Sequence, residues 1–241
     1  MEVSELRPGL WRWTAPHPEW MPGKDRPGGW GQMVGCLYYE PSAEGADGHD
    51  TILIDPLAPP DGSPQADRFW KSLDADLERR QGRVSLLLSS HYHERHARVL
   101  LDRYGKRHRP GVWAHEAARE RVSCEIAHPF RQETPLPGGV IAYPVAGLDA
   151  SETAYWLPEH RALVLGDALI GAGEGSVRVA PPFWAPDTPE GARRYEEEYR
   201  PSLRRFLDLP LEMLIVSHGP PVLEHAASAL ESALTSPVWG K

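Results

Sequence analysis

Six consecutive residues, His91-Tyr92-His93-Glu94-Arg95-His96, carry three imidazoles within one short stretch of the 241-residue chain. Neutral imidazole coordinates Zn, Fe, Mn or Ni, and near pH 7 it also carries protons. Read as an extended segment, positions 91 and 93 point the same way, and His96 swings toward the same point after a short turn. In isolation such a cluster would also arise on an ordinary surface. Two further features favour a site. Ala162-Leu163-Val164-Leu165-Gly166-Asp167 is an apolar strand that ends on a carboxylate. Met213-Leu214-Ile215-Val216-Ser217-His218-Gly219 is another, ending on an imidazole. Singly, Asp167 would serve as a turn cap and His218 as a satisfied edge histidine. Three ligand types at three strand ends read together as a site, because strand ends and loops are where scaffolds collect functional groups.

The elements that must position these groups follow from periodicity. The run Val84-Ser85-Leu86-Leu87-Leu88 suits a buried strand leading into the cluster. Ahead of it, Ser63 and Pro64 open a helix whose Ala66, Phe69, Trp70, Leu73 and Leu77 share one face, with Gly82 expected to end it. Strands are expected over 9–14, 33–40 and 51–55, with 41–50 as a hairpin loop. Beyond the cluster come a helix over 97–104, a strand over 111–114 and a helix over 115–124. Further strands fit 140–145, 153–157, 162–165 and 213–216. Asp187, Thr188 and Pro189 start a helix that Pro201 kinks or restarts, and a last helix is expected over 222–234. Hairpin strands at both starts and helices between later strands predict two mixed sheets face to face with helices outside, in a single domain over 1–241.

Bulk composition bounds the function. Net charge is −8, from 26 basic and 34 acidic residues, which argues against a nucleic-acid surface. No stretch nears the ~18 apolar residues of a membrane span. Only Cys36 and Cys124 are present, so a disulfide framework is not expected and a cytoplasmic setting is. The acidic start, Met1-Glu2-Val3-Ser4-Glu5, does not read as a signal peptide. The expected partner is therefore a small-molecule substrate or ligand, with no nucleic acid and no membrane, and nothing sets an oligomeric state. The prolines around Trp11, Trp13, Trp20 and Trp30 suggest a loop that caps a cleft, with Trp20 and Trp30 touching an apolar part of the ligand.

The chain resembles the metallo-β-lactamase-fold hydrolases, whose signature is H-x-H-x-D-H after a buried strand, then G-H, then strands ending in G-D and in S-H-G or similar. The order and spacing match from Ile54-Asp55-Pro56 to His218. The resemblance implies a four-layer αββα sandwich with its site along one sheet edge. It also implies that His91, His93 and Asp167 hold one metal, while His96 and His218 would serve a second. Two positions depart from the pattern: Arg95 stands where the motif has Asp, and Leu148 where the G-H histidine belongs. Guanidinium only donates and cannot coordinate, and a fixed cation repels a second divalent ion. Arg95 is instead expected to pair with Asp167, Asp149 to stand in for the lost ligand, and Asp55 to support backbone or a ligand histidine from behind. Glu94 should point away.

Three readings follow. The first is a hydrolase with one divalent ion, Zn or else Fe or Mn, in which His96, His218 and Asp167 do the catalytic work on a small ester, thioester, lactone or amide. The second is a metal-free protein that binds an anion through Arg95, His96 and His218. The third keeps the fold for a structural or partner-binding role.

Overall fold

The computed structural model describes residues 1–23, 29–42 and 49–237. Strands β1 (Val3–Arg7), β2 (Leu10–Pro16), β3 (Met33–Tyr39), β4 (His49–Ile54) and β5 (Gln81–Leu88) build the first half with β6 (Gly111–His115) and β7 (His128–Phe130). The second half contains β8 (Thr134–Pro135), β9 (Ile141–Pro144), β10 (Thr153–Leu157), β11 (Ala162–Gly173), β12 (Ser176–Val179) and β13 (Met213–His218). Strand order runs β7-β6-β5-β4-β3-β13-β11-β10-β9-β8, with β2 flanking β3, β1 flanking β2, and β12 flanking β11. Among the described residues, the ladder that links the halves is one residue pair, His218 with Val34.

Alternation along the strands sets the layers. Leu37, Tyr39, Ile52, Ile54 and Leu87 of the first half pack with Tyr155, Leu157, Val164 and Ile215 of the second. Their neighbours Cys36, Tyr38, Leu53, Leu86 and Leu88 face the opposite way, onto Leu73, Leu77, Leu100 and Tyr104. The last four belong to helices α1 (Pro64–Arg80) and α2 (Ala97–Tyr104). In the second half, Trp156, Leu163, Leu165, Leu214 and Val216 pack on Tyr195, Tyr199, Leu203, Phe206 and Leu230, which lie on and between α3 (Pro189–Arg194), α4 (Arg200–Arg204) and α5 (Ala226–Thr235). The result is the expected αββα sandwich.

Local departures have local causes. Helix α1 starts at the expected cap, where the Ser63 side chain accepts from Ala66 N–H, but it ends on Gln81 in a left-handed conformation rather than at Gly82. Gly82 is needed for another reason, since a Cβ there would lie 2.4 Å from the backbone of His49. The helix expected over 115–124 is one short turn, Glu116–Ala118, because the carboxylate of Glu94 captures the amides of Ser123 and Cys124. Val222 pairs with Leu214, which delays the last helix to Ala226. Ahead of Pro201 the helix widens into a π turn, Tyr195–Tyr199, the kind of adjustment a missing N–H and a ring clash require. Most of the hairpin loop expected over 41–50 lies outside the described residues. No helix among the described residues is long and apolar enough to cross a membrane.

Candidate metal centre

His91–His93 follow β5 as a single turn of 3₁₀ helix. At about three residues per turn, positions i and i+2 diverge, so the two imidazoles part company. His93 turns inward and is buried. Its Nδ1 lies 2.9 Å from Asp55 Oδ2 and 2.7 Å from Ser89 Oγ. Asp55 also accepts from Ser89 N–H at 2.8 Å and Ser89 O–H at 2.6 Å. This leaves Nε2 of His93 facing Asp167, 3.3 Å from Oδ1. Gly166 makes the close approach possible, because a Cβ there would meet Ser89 Oγ at 2.3 Å and His93 at 3.0 Å.

Asp167 sits where the parallel pairing of β11 with β13 slips, between Leu165 and Ile170. The amides of Asp167 and Ala168 donate there to Oε1 of Glu152, each at 3.0 Å. The same Oδ1 of Asp167 that faces His93 is 3.0 Å from Nε2 of His218, at the end of β13. Ligand atoms of His93, Asp167 and His218 therefore lie within 4.8 Å of one another. An aromatic wall surrounds His218, with Trp30 at 4.9 Å and Trp184 at 6.0 Å between ring centroids. The triad opens onto a cleft of about 380 Å³ that Leu148, Asp149, Glu152, Tyr92 and Phe183 also line.

The electrostatics follow from burial and pairing. Burial opposes charge on His93, but the carboxylates of Asp55 and Asp167 outweigh it and raise the pKa to about 9. Burial also pushes Asp55 and Asp167 upward; contact with His93, joined by Arg95 for Asp55 and by His218 for Asp167, brings both below the usual carboxylate range. For Glu152 burial, then the charge of Asp167, outweigh the pull of His93 and of the Ala168 amide and raise its pKa well above normal. Burial lowers His218 despite Asp167.

The donor set, with its three ligand atoms within 4.8 Å of one another, is of a kind that can hold a divalent ion. Tetrahedral zinc with ligand bonds near 2.0–2.1 Å places its ligand atoms about 3.3 Å apart, and the two nitrogen-to-Oδ1 separations are 3.3 and 3.0 Å. Asp55 behind His93 is the carboxylate–histidine arrangement that fixes the tautomer and aims a ligating nitrogen.

No protein-family model matches the chain, and no curated protein matches it in sequence. Solved structures do match. A metallo-beta-lactamase from Pontibacter korlensis superposes with a TM-score of 0.62 at 15% identity, over 98% of this chain and 99% of that one. A metallo-beta-lactamase family protein of Thermus thermophilus gives 0.60 at 19% identity, over 95% and 79%. FIM-1 from Pseudomonas aeruginosa, solved in a mono-zinc form, gives 0.59 at 12% identity, over 97% and 94%. The chain has the metallo-β-lactamase fold.

Within that fold the structure redistributes the residues expected to act. His91, expected beside His93 as a ligand, has its Nδ1 3.0 Å from Ser151 Oγ and 3.3 Å from Asp149 Oδ1. Asp149 is accordingly held by His91, by Ser151 and by Arg121 at 2.7 Å, and does not join the triad. His96 does not reach the cleft, because its Nδ1 accepts from Ala58 N–H at 2.8 Å and so straps the loop after β4. Trp20 stands behind Trp30, donating to its carbonyl at 3.2 Å, and only Trp30 lines the cleft. His17 also lines the cleft, and His160 is buried.

Arg95 does not pair with Asp167. A left-handed backbone (φ 44°) turns it under the site, where its guanidinium donates to Gly35 O at 2.9 Å, Asp55 O at 2.8 Å and Ser217 Oγ at 2.5 Å. Those partners lie on β3, after β4 and on β13, so Arg95 ties the two sheet halves together where, among the described residues, the ladder between β3 and β13 is one residue pair. Arg95→Ala should leave two half-buried carbonyls and Ser217 unpartnered, at a cost of about 2–4 kcal/mol. An unchanged midpoint in urea would remove Arg95 from this role.

Sequence reasoning passed over Glu152, Ser89, Trp184 and Phe183. Glu152 left one usable trace, a lone acid flush against Thr153–Leu157, a strand in which every residue is buried.

Proposed function

We propose that this protein is a hydrolase using one divalent metal ion, held by His93, Asp167 and His218. The observation that carries the reading is the shared approach of both Nε2 atoms to one Asp167 oxygen, with Asp55 clamping His93 from behind. An ion held there would supply Lewis acidity and activate water at neutral pH. The chain's own residues do the rest. Asp55 and Ser89 orient His93, Glu152 holds the Asp167 backbone at the strand slip, and Trp30 and Trp184 fix the His218 ring and screen it from bulk water. The substrate class is a small ester, thioester, lactone or amide, and zinc is the first candidate ion, with iron and manganese behind it. The anion-binding alternative loses support, since Arg95 and His96 are committed elsewhere. A cytoplasmic setting remains part of the proposal, consistent with two buried free cysteines.

Metal analysis of protein purified without chelator tests it. The expected result is close to one ion per chain, with hydrolysis of an activated ester lost on chelation and restored by zinc, iron or manganese. Stoichiometry far below one, unchanged by added metal, would sink the proposal.

A further inference from the structure

The cleft mouth carries two of the molecule's most exposed large apolar side chains, Tyr92 at 60% and Phe183 at 64% exposure. Both line the same cavity as Trp30, Trp184 and Leu148. Isolated apolar residues on a surface need no explanation, but aromatic rings converging on a site-lining cavity mark a place for apolar ligand surface. At the floor of that cavity lies a second, independent feature. Glu152 is buried and lines the cleft, its Oε1 is taken by two backbone amides, and its Oε2 has no partner among the described residues. A buried oxygen left unpaired costs free energy that a ligand's polar group would relieve.

We infer that the cleft takes an uncharged amphipathic acyl compound: an alkyl or aryl arm lies among Phe183, Trp184, Trp30, Tyr92 and Leu148, and a carboxamide-like head hydrogen-bonds Glu152 Oε2. A carboxamide carries both a donor and an acceptor, so it can satisfy that oxygen whether or not it bears a proton. The inference deepens the hydrolase reading by naming the substrate's chemistry. Its test uses binding to the chelated protein, so it stands or falls separately from the metal.

Binding of butanamide, hexanamide and octanamide would be measured by protein-observed NMR, with 1-chlorohexane as a probe of similar length that lacks the head. Each added methylene should tighten binding by about fourfold while the arm stays inside the cleft. Hexanamide should bind more tightly than 1-chlorohexane, although the chloride is the more apolar compound. Phe183→Ser, a change at an exposed side chain, should flatten the chain-length dependence. A separate cavity of about 350 Å³ between the N-terminal hairpin and α1, lined by Trp11, Trp13 and Phe69, supplies the control. Loss of the dependence in Phe69→Ser but not in Phe183→Ser would place the arm there and overturn the inference. So would a flat series, or tighter binding of the chloride.

Discussion

Alanine at His93 or His218 is expected to abolish stoichiometric zinc binding, whereas alanine at His91 leaves one ion per chain. Alignment to the H-x-H-x-D-H motif makes the opposite forecast for His91, because there the first two histidines share an ion. The structure separates them: His93 Nε2 faces Asp167 at 3.3 Å, and the ligand atoms that converge within 4.8 Å are those of His93, Asp167 and His218, without His91. Even residues that only orient a ligand cost about 10–100-fold in metal affinity, so removing a ligand itself should cost roughly 100-fold or more. Competition of each variant with a chromophoric chelator reads this directly. Zinc lost by His91→Ala as well as by His93→Ala would restore the aligned ligand set and retire the one described here. Circular dichroism on each variant separates a lost site from a lost fold.

The source of that disagreement shows what the sequence could carry. Asp167 and His218 were legible because each ends an apolar run, and strand geometry then delivers both to one edge. The four layers were legible in the same way, through alternation such as Leu37 and Tyr39 against Cys36 and Tyr38. The histidine cluster was found but misdirected, since two-residue spacing brings side chains together only in an extended segment, and here the chain has already turned into a 3₁₀ helix. Arg95 stands where the aligned motif has a carboxylate, yet its partners lie on two strands and just past the end of a third, all distant in sequence. Glu94 shows the same limit: its carboxylate reaches across to Ser123 and Cys124 and replaces a helix that local pattern favoured. Glu152 sits outside every motif, and its importance exists only because a strand slip frees two amides beside it.

Asp55→Ala should cost the metal-free protein about 3–5 kcal/mol, the usual consequence of removing one member of a buried ion pair. Asp55 is almost fully buried and holds His93 together with the amide and hydroxyl of Ser89, so the substitution strands three donors at once. The same pairing makes stability depend on pH with a definite sign. The pKa of His93 rises from 6.5 to about 9 in the folded chain. Its contribution is therefore complete below pH 6.5 and is lost as pH rises through 9, a change of about 3 kcal/mol. Asp55 is shifted the other way, and its contribution is lost only as pH falls below the ordinary carboxylate range. Chelated protein should thus melt at lower temperature at pH 9 than at pH 6.5, and in Asp55→Ala that slope should shrink. Zinc should reverse the trend, because a ligand histidine must give up its proton, and affinity then grows up to tenfold per pH unit until about pH 9. Melting temperatures across that range, with chelator and with zinc, decide the matter. Parallel curves would mean that the ion and the proton do not compete for His93, and that the triad is not the metal site.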